Sequence, residues 1–401
     1  MKIPPFTLDR QYLEIGSEIE EAVSRVIKSG QFIGGIEVSK FEESFASFIE
    51  VPFAIGCNSG TDALVLALRA LDIGKGDEVI TSSFSFFATA EAISNVGATP
   101  VFVDINSDNY LIDPEQIENQ ITKKTKAILP VHLFGNVVDM NAIKLIAQKY
   151  DLKIIEDCAQ ATGSVWNNQK VGSIGDIGCF SFFPTKNLGA AGDGGAVTTS
   201  NDDLAQKIKE LAVHGSPKRY NHTQIGYNSR LDSIQAAVLN TKLKFISQWI
   251  MKRQEIANNY LDLIMRNELL SLPSNADNQN FHSWNQFVIR LENKNYSISK
   301  KYSELFETDY KKNNSLRNLL KICLGDKGIN SIIYYPIPIH GQLAYQGEKY
   351  KRELLINTEK VSTEVLSLPM FPEITYEEQV YITDNLNLIM DKNINNIQIS
   401  A

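Results

Sequence analysis

Between residues 53 and 158, short apolar runs alternate with segments of helical periodicity, and that rhythm leaves few architectures open. Strand-like runs fall at 53–58, 78–83, 100–104, 127–133 and 153–158, and helical ones at 60–71, 86–96 and 142–150. Strands separated by helices are joined by right-handed crossovers, so a mostly parallel sheet covered on both faces is expected. Two further strands, at 177–183 and 196–200, extend it. Upstream, Ile15, Ile19, Val23 and Ile27 recur at helical spacing and stop at Gly30, and a second amphipathic helix is expected over 38–49. After residue 201 a helical region runs to about 265, broken near 214–227, and the remaining third mixes strands at 286–291 and 331–335 with helices ending in 377–390. A chain of 401 residues exceeds what one hydrophobic core usually organises. The expected division is a large α/β domain over 1–246 and a smaller α+β domain over 247–401.

The net charge of −8, with no patch of five or more basic residues, repels phosphate backbones, so nucleic acid is not an expected partner. Cys57, Cys158, Cys179 and Cys323 are scattered, without a Cys-x-x-Cys pair or a histidine at metal-ligand spacing, which fits buried reduced thiols and no metal site. No run reaches the roughly 18 apolar residues of a membrane span, and Met1-Lys2-Ile3-Pro4-Pro5 lacks the apolar stretch of a signal peptide. A soluble, cytoplasmic protein is expected, with a loose polar tail over 393–401.

Within the α/β part, Lys186 stands in Ser181-Phe182-Phe183-Pro184-Thr185-Lys186-Asn187-Leu188-Gly189, followed by Gly192, Gly194 and Gly195. The segment connects two buried strands, and loops held by such a scaffold are where chemistry tends to reside. An amine that condenses with an aldehyde must lose its proton near neutral pH, and an apolar surround favours that loss. The glycines let the backbone approach a flat ligand closely.

Three more segments are compatible with such a ligand. In Asn58-Ser59-Gly60-Thr61-Asp62 a strand gives way to a helix, so unpaired N–H groups and the positive helix end make a seat for a phosphate; Ser59 or Thr61 serves equally as an ordinary N-cap. In Glu156-Asp157-Cys158-Ala159-Gln160 acidic residues stand at the carboxyl end of a strand, the edge at which open parallel sheets bind ligands. Strand alternation puts Glu156 and Asp157 on opposite faces; Asp157 is the candidate partner of a protonated ring nitrogen, and Gln160 of a phenolic oxygen. Phe86, just after another strand end, is placed to stack on a heterocycle, although most aromatics in such runs are core. A phosphate seat, a stacking ring, a carboxylate and a lysine in this order describe a pocket for pyridoxal 5′-phosphate.

These segments, together with Gly192-Asp193-Gly194-Gly195-Ala196 and Gly226-Tyr227-Asn228-Ser229-Arg230-Leu231-Asp232, resemble those of the DegT/DnrJ/EryC1/StrS sugar aminotransferases over nearly the whole chain. The resemblance implies a fold-type I aminotransferase working as a homodimer, with each active site at the subunit boundary. It implies that Lys186 carries the cofactor covalently, that Asp157 faces its ring nitrogen, Gln160 its phenolic oxygen and Phe86 its ring. The phosphate would be held by Gly60, Thr61 and Ser181, joined by the partner subunit's Asn228. One departure is Thr162, where the family often has histidine.

The implied reaction carries an amino group from L-glutamate to a nucleotide-linked keto sugar. Asp193 is similar to members acting at C3 of a 3-keto-6-deoxyhexose or related 3-keto sugar, whereas many C4 enzymes carry glutamate there; amination at C4 stays open. Lys186 argues against the sugar dehydratases of the family, which have histidine at that place. The loop His214-Gly215-Ser216-Pro217-Lys218-Arg219-Tyr220 has cations and an aromatic suited to a diphosphate and a base, so His214, Arg219 and Tyr220 are candidate substrate contacts, or else a solvated loop. Tyr335 and His340, in Tyr334-Tyr335-Pro336-Ile337-Pro338-Ile339-His340, resemble the element near the family's substrate entrance, His340 being equally a structural histidine. A PLP-binding regulator without turnover is the alternative of another class; its DNA-binding module or basic extension is not seen.

Overall fold

The computed structural model describes residues 1–274, 280–292, 315–347, 350 and 354–391; the tail at 393–401 lies outside them. Two N-terminal helices, α1 (Asp9–Ser29) and α2 (Ile36–Ile49), precede the sheet, α1 ending where Gly30 turns left-handed at φ 70°. Then follow β1 (Phe53–Cys57), α3 (Gly60–Ala70), β2 (Glu78–Ser82), α4 (Ala88–Asn95), β3 (Thr99–Val103), the short α5 (Pro114–Ile117), β4 (Thr125–Leu129), α6 (Met140–Tyr150) and β5 (Lys153–Asp157). A small hairpin, β6 (Val165–Trp166) and β7 (Gln169–Lys170), leads to β8 (Ile177–Ser181) and β9 (Gly195–Thr199). Three helices follow, α7 (Asp202–Ala212), α8 (Ser233–Leu243) and α9 (Ile246–Leu263). The C-terminal part holds β10 (Leu270–Ser271), β11 (Phe287–Leu291), α10 (Leu316–Asp326), α11 (Ile356–Glu364), β12 (Val365–Leu368) and α12 (Tyr376–Asp391).

The central sheet has seven strands in the order β1-β9-β8-β5-β4-β2-β3. The pairs β2·β3, β2·β4, β4·β5 and β5·β8 are parallel, whereas β9 runs antiparallel to both β8 and β1. The reversal follows from the connection: β8 and β9 are joined through residues 182–194, which form no crossover helix, so the chain must turn back beside itself. The carboxyl ends of β1, β2, β4, β5 and β8 and the start of β9 therefore share one edge of the sheet, and Cys57, Gly195 and Ser181 sit side by side in register.

The expected strand at 331–335 is not one. Its backbone makes a single bridge, Ile332 to Ser367, and then bends toward the sheet edge. The bridge adds to the outer edge of β12, which pairs with β11 on its other side in a three-stranded sheet of order β10-β11-β12, and Pro336 and Pro338, which have no N–H to donate to a ladder, follow at once.

Two main apolar cores are packed. The larger gathers the sheet and its helices, including Phe41, Phe45, Leu66, Ile80, Ile155 and Phe180. The smaller gathers Ile3, Tyr260, Trp284, Phe287, Leu320 and Leu386. One helix serves both: Ile246, Trp249 and Ile250 of α9 lie in the first, Ile256, Ala257 and Tyr260 in the second. Between them, buried Arg253 donates from one terminal nitrogen to the carbonyl oxygens of Trp284 (3.0 Å), Met370 (3.2 Å) and Asn285 (3.4 Å). Burial pulls its pKa down to about 10, against the pull of Glu373. Arg253→Met keeps the apolar stem and strands those carbonyls, so a loss of about 3 kcal/mol is expected in urea unfolding. An unchanged midpoint would show that the carbonyls find other donors.

Candidate active site

The shared sheet edge opens into a cleft of about 610 Å³, lined among others by Gly60, Thr61, Phe86, Asp157, Gln160, Ser181, Lys186 and Tyr335. Residues more than a hundred positions apart meet here because crossover connections return each strand to the same edge.

The turn after β1 is shaped for an anion. Ser59 is the N-cap of α3, extended at φ −162°, and its hydroxyl accepts from the Asp62 N–H at 3.1 Å. The N–H groups of Gly60 and Thr61, at the helix start, have no carbonyl within the helix to bond. Gly60 packs so closely on Ser181 that a Cβ there would stand 2.6 Å from the serine Cβ. Capping by Ser59 thus leaves the helix start with N–H groups that could hold an anion.

Lys186 hangs from the β8–β9 connection. Phe182 anchors that loop by wedging edge-on against Phe41 and Phe45 of α2, with ring centroids 5.3 and 5.2 Å apart. Strand alternation then turns its neighbour Phe183 into the cleft, half exposed. Burial lowers the Lys186 pKa to about 8, opposed by the charge of Asp157. The loop is further held by the Ala191 N–H to Gln235 (2.8 Å) and by Asn187, which donates to the Ser283 carbonyl (3.1 Å) and accepts from Asn285 (3.2 Å).

The two neighbouring carboxylates take opposite faces of β5. Glu156, fully buried, accepts from the N–H groups of Gly172, Ile174 and Gly175 and from His132 Nε2 at 3.1 Å. His132 Nδ1 accepts from the Val138 N–H, which fixes the ring as the Nε2–H tautomer. Burial works against its charge, yet these donors hold Glu156 below the usual carboxylate range. His132, Glu156 and Cys158 lie close enough to suggest a metal, but the hydrogen bonds already engage the histidine and the carboxylate, and the cluster ties β5 to the loop before β8. Asp157 faces the cleft instead, where burial raises its pKa against hydrogen bonds from Ala159 N–H (3.1 Å) and Thr89 Oγ1 (2.9 Å) and the charge of Lys186.

Gln160 is oriented by two bonds: its oxygen accepts from the Phe134 N–H (2.9 Å), and its nitrogen donates to the Tyr335 hydroxyl (2.8 Å). One amide hydrogen stays available to the cleft. Phe86 is 57% exposed and leans toward the Tyr335 ring at 6.2 Å between centroids, so its face is open to a ligand.

Other sequence candidates lie elsewhere. His214, Arg219, Tyr220 and Asn228 belong to the loop between α7 and α8 and do not line the cleft of their own chain; Tyr220 is 81% exposed, and Asn228 accepts from Arg230. His340 is outside the cleft as well, its Nδ1 on Ser83 Oγ at 2.6 Å and its Nε2 near Glu359 at 3.3 Å. Conversely, Ser85, Thr89, Asn285 and Gln286 line the cleft without having been singled out. The two hydroxyl residues Ser85 and Thr89, four positions apart after a strand end, were the available signal; nothing local marks Asn285 and Gln286, of which Asn285 is held by Arg253 on its carbonyl and Gln286 by its N–H on the Phe134 carbonyl.

The DegT/DnrJ/EryC1/StrS aminotransferase family model matches residues 13–387. The chain is 41% identical, over 96% of its length and 98% of the other, to a pleiotropic regulatory protein of Geobacillus stearothermophilus. It is 43% identical, over 94% and 95% of the two lengths, to UDP-N-acetyl-3-dehydro-alpha-D-glucosamine 3-aminotransferase of Acidithiobacillus ferrooxidans. Among solved structures, DesV of S. venezuelae in complex with a ketimine intermediate superposes with a TM-score of 0.89 at 36% identity, covering 97% of this chain and 99% of that one. NtdA of Bacillus subtilis with bound cofactor PMP gives 0.85 at 32% identity, covering 97% and 85%.

Proposed function

The chain belongs to the DegT/DnrJ/EryC1/StrS aminotransferase family, and from that premise we propose that it transfers an amino group from L-glutamate to C3 of a nucleotide-linked 3-keto sugar. The observation that carries the reading is a lysine amine with a pKa of about 8 sharing an apolar cleft with a buried carboxylate and a helix start. The relative named as a 3-aminotransferase supports C3 over C4.

Pyridoxal 5′-phosphate fits this donor set. Gly60, Thr61 and Ser181 would hold its phosphate, Asp157 its ring nitrogen, Phe86 its ring face, Gln160 its phenolic oxygen, and Lys186 its aldehyde carbon. When bound, the cofactor supplies a carbonyl that condenses with amines and a ring that takes up the electrons of a broken C–H bond. Lys186, once freed, is basic enough to take the proton from Cα of glutamate and acidic enough to give one to the former carbonyl carbon of the sugar. Asp157 keeps the ring nitrogen protonated by staying ionised beside it. Phe86, Phe183 and Tyr335 exclude water from that exchange.

In this reading the enzyme is a cytoplasmic homodimer. The partner subunit's Asn228 reaches the phosphate, and the loop with His214, Arg219 and Tyr220 meets the nucleotide across the boundary. What supports this is that these residues are displayed on one chain away from its own cleft. Tyr335 is a substrate contact within the chain; His340 supports Ser83 and is not. Among the described residues no helix is long and apolar enough to cross a membrane, and all four cysteines are buried and free. A monomer at assay concentration, measured by sedimentation, removes the shared-site part.

The test is a panel of 3-keto and 4-keto sugars linked to dTDP, UDP or GDP, supplied with L-glutamate and read by product NMR. Amine at C3 supports the reading, and exclusive amination at C4 overturns it. A regulator without turnover, suggested by the name of the Geobacillus relative, would fail to convert the cofactor to its amine form with glutamate alone.

A further inference from the structure

We propose that Ser85 and Thr89 form a directed hydroxyl relay that holds Asp157 ionised and oriented in the floor of the cleft. The proposal rests on the reading that Asp157 faces the cofactor's ring nitrogen.

The geometry is a linear chain. Ser85 Oγ lies 2.8 Å from Thr89 Oγ1, and Thr89 Oγ1 donates to Asp157 Oδ2 at 2.9 Å, while Oδ1 accepts from the Ala159 N–H. The three residues are 4%, 1% and 4% exposed, so bulk water does not compete. An ionised carboxylate only accepts, and threonine has one hydroxyl hydrogen. With that hydrogen committed to Asp157, Thr89 must accept from Ser85, so both O–H dipoles aim at the carboxylate. A proton arriving on Oδ2 would make Thr89 the acceptor and disturb this order. The relay therefore favours the charged form.

The placement serves this and little else. Ser85 stands in the bend before α4 and Thr89 in its first turn, so the two hydroxyls meet across the helix start, while Phe86 between them lines the cleft. Neither hydroxyl caps α4, whose N-cap position is Phe87. The other titratable groups near Asp157 are Lys186 from the β8–β9 connection, His132 beyond β4, the neutral thiols of Cys158 and Cys179, and Tyr335 from the C-terminal part. Burial opposes the Asp157 charge, and of these groups Lys186 and His132 favour it only as cations. His132 is tied to Glu156, and Lys186 gives up its cationic amine on joining the cofactor, so the protein's support then falls on Thr89 and Ala159. Thr89 and Ser85 are positioning residues, acting through Asp157.

The test is the pH titration of the visible absorbance band of the cofactor-loaded protein, for wild type, Thr89→Val, Thr89→Ser, Ser85→Ala and Asp157→Asn. Weakening the carboxylate loosens the ring-nitrogen proton and makes the cofactor's imine linkage more basic, so the midpoint moves up. Asp157→Asn is expected to move it furthest, Thr89→Val on the order of one pH unit, Ser85→Ala less in the same direction, and Thr89→Ser not at all. A midpoint that moves in Asp157→Asn but stays put in Thr89→Val overturns the relay alone. If Asp157→Asn leaves it unmoved, the placement of the cofactor is wrong and the relay falls with it. Should Thr89→Val not fold, Ser85→Ala decides: an unmoved midpoint there overturns the directed chain.

Discussion

Lys186→Ala is expected to lower turnover by at least about 10³-fold, because in the proposed reaction one side chain supplies both the covalent anchor and the proton carrier. The effect has a pH signature in the wild type that the variant must lose. With the amine near pKa 8, its neutral fraction rises about tenfold from pH 6 to pH 7 and flattens above pH 8. The rate at which cofactor-free protein captures pyridoxal phosphate should follow that curve, while a surface lysine would keep gaining up to about pH 10. Burial is the cause, so the sign is set: desolvation penalises the cation, and the amine becomes reactive at lower pH than in water. Borohydride reduction followed by peptide mapping checks the residue. Label on another lysine, or full activity in the alanine variant, removes the assignment on which the proposed reaction stands.

Gly195→Ala carries the second large effect, through backbone alone. A Cβ there would lie 2.4 Å from the Ser59 carbonyl oxygen, 2.5 Å from its carbon and 2.9 Å from the Gly60 nitrogen. Gly195 cannot yield, since it is paired with Cys57 on one side and Ser181 on the other. The turn at Ser59–Gly60 must move instead, and with it the N–H groups proposed to hold the phosphate. Overpacking of this kind costs about 3 kcal/mol. Chemical denaturation should show that loss, and cofactor titration a decrease of at least about tenfold in affinity. Wild-type affinity in a destabilised protein would separate the turn from phosphate binding.

Much of this arrangement was legible in the chain. The alternation from 53 to 158 located β1, β2, β3 and β5 within one residue, because buried strands are marked by unbroken apolar runs, whereas β4 ends at Leu129, before Pro130, four residues short of the expected run to 133. The lysine, the turn after β1 and Asp157 could be picked out because each sits where a strand ends. The direction of β9 was not legible: a hairpin and a crossover differ only in what the connection does, and residues 182–194 carry no periodicity of either kind. Nor was the choice between 331–335 and Val365–Leu368 as partner of β11, since both are short apolar runs and tertiary pairing decides. His340 and the 214–220 loop show the same limit. A histidine's partners, here Ser83 and Glu359, come from distant segments, and a loop displayed away from its own cleft can be placed only relative to a second chain.

The reversed strand also sets a schedule for synthesis. Edge strand β1 pairs only with β9, so Phe53 waits for Thr199, and nearly 150 residues must leave the ribosome before the first strand has a neighbour. The hairpin bearing Lys186 closes locally, but Ser181 meets Gly60 only after that long wait. A nascent chain halted just before β9 would already carry Ser181 and Lys186, yet its first strand would have no neighbour to bring Gly60 beside them, and vitamin B6 could be retained only by a chain whose earliest and latest strands in the sheet have already met.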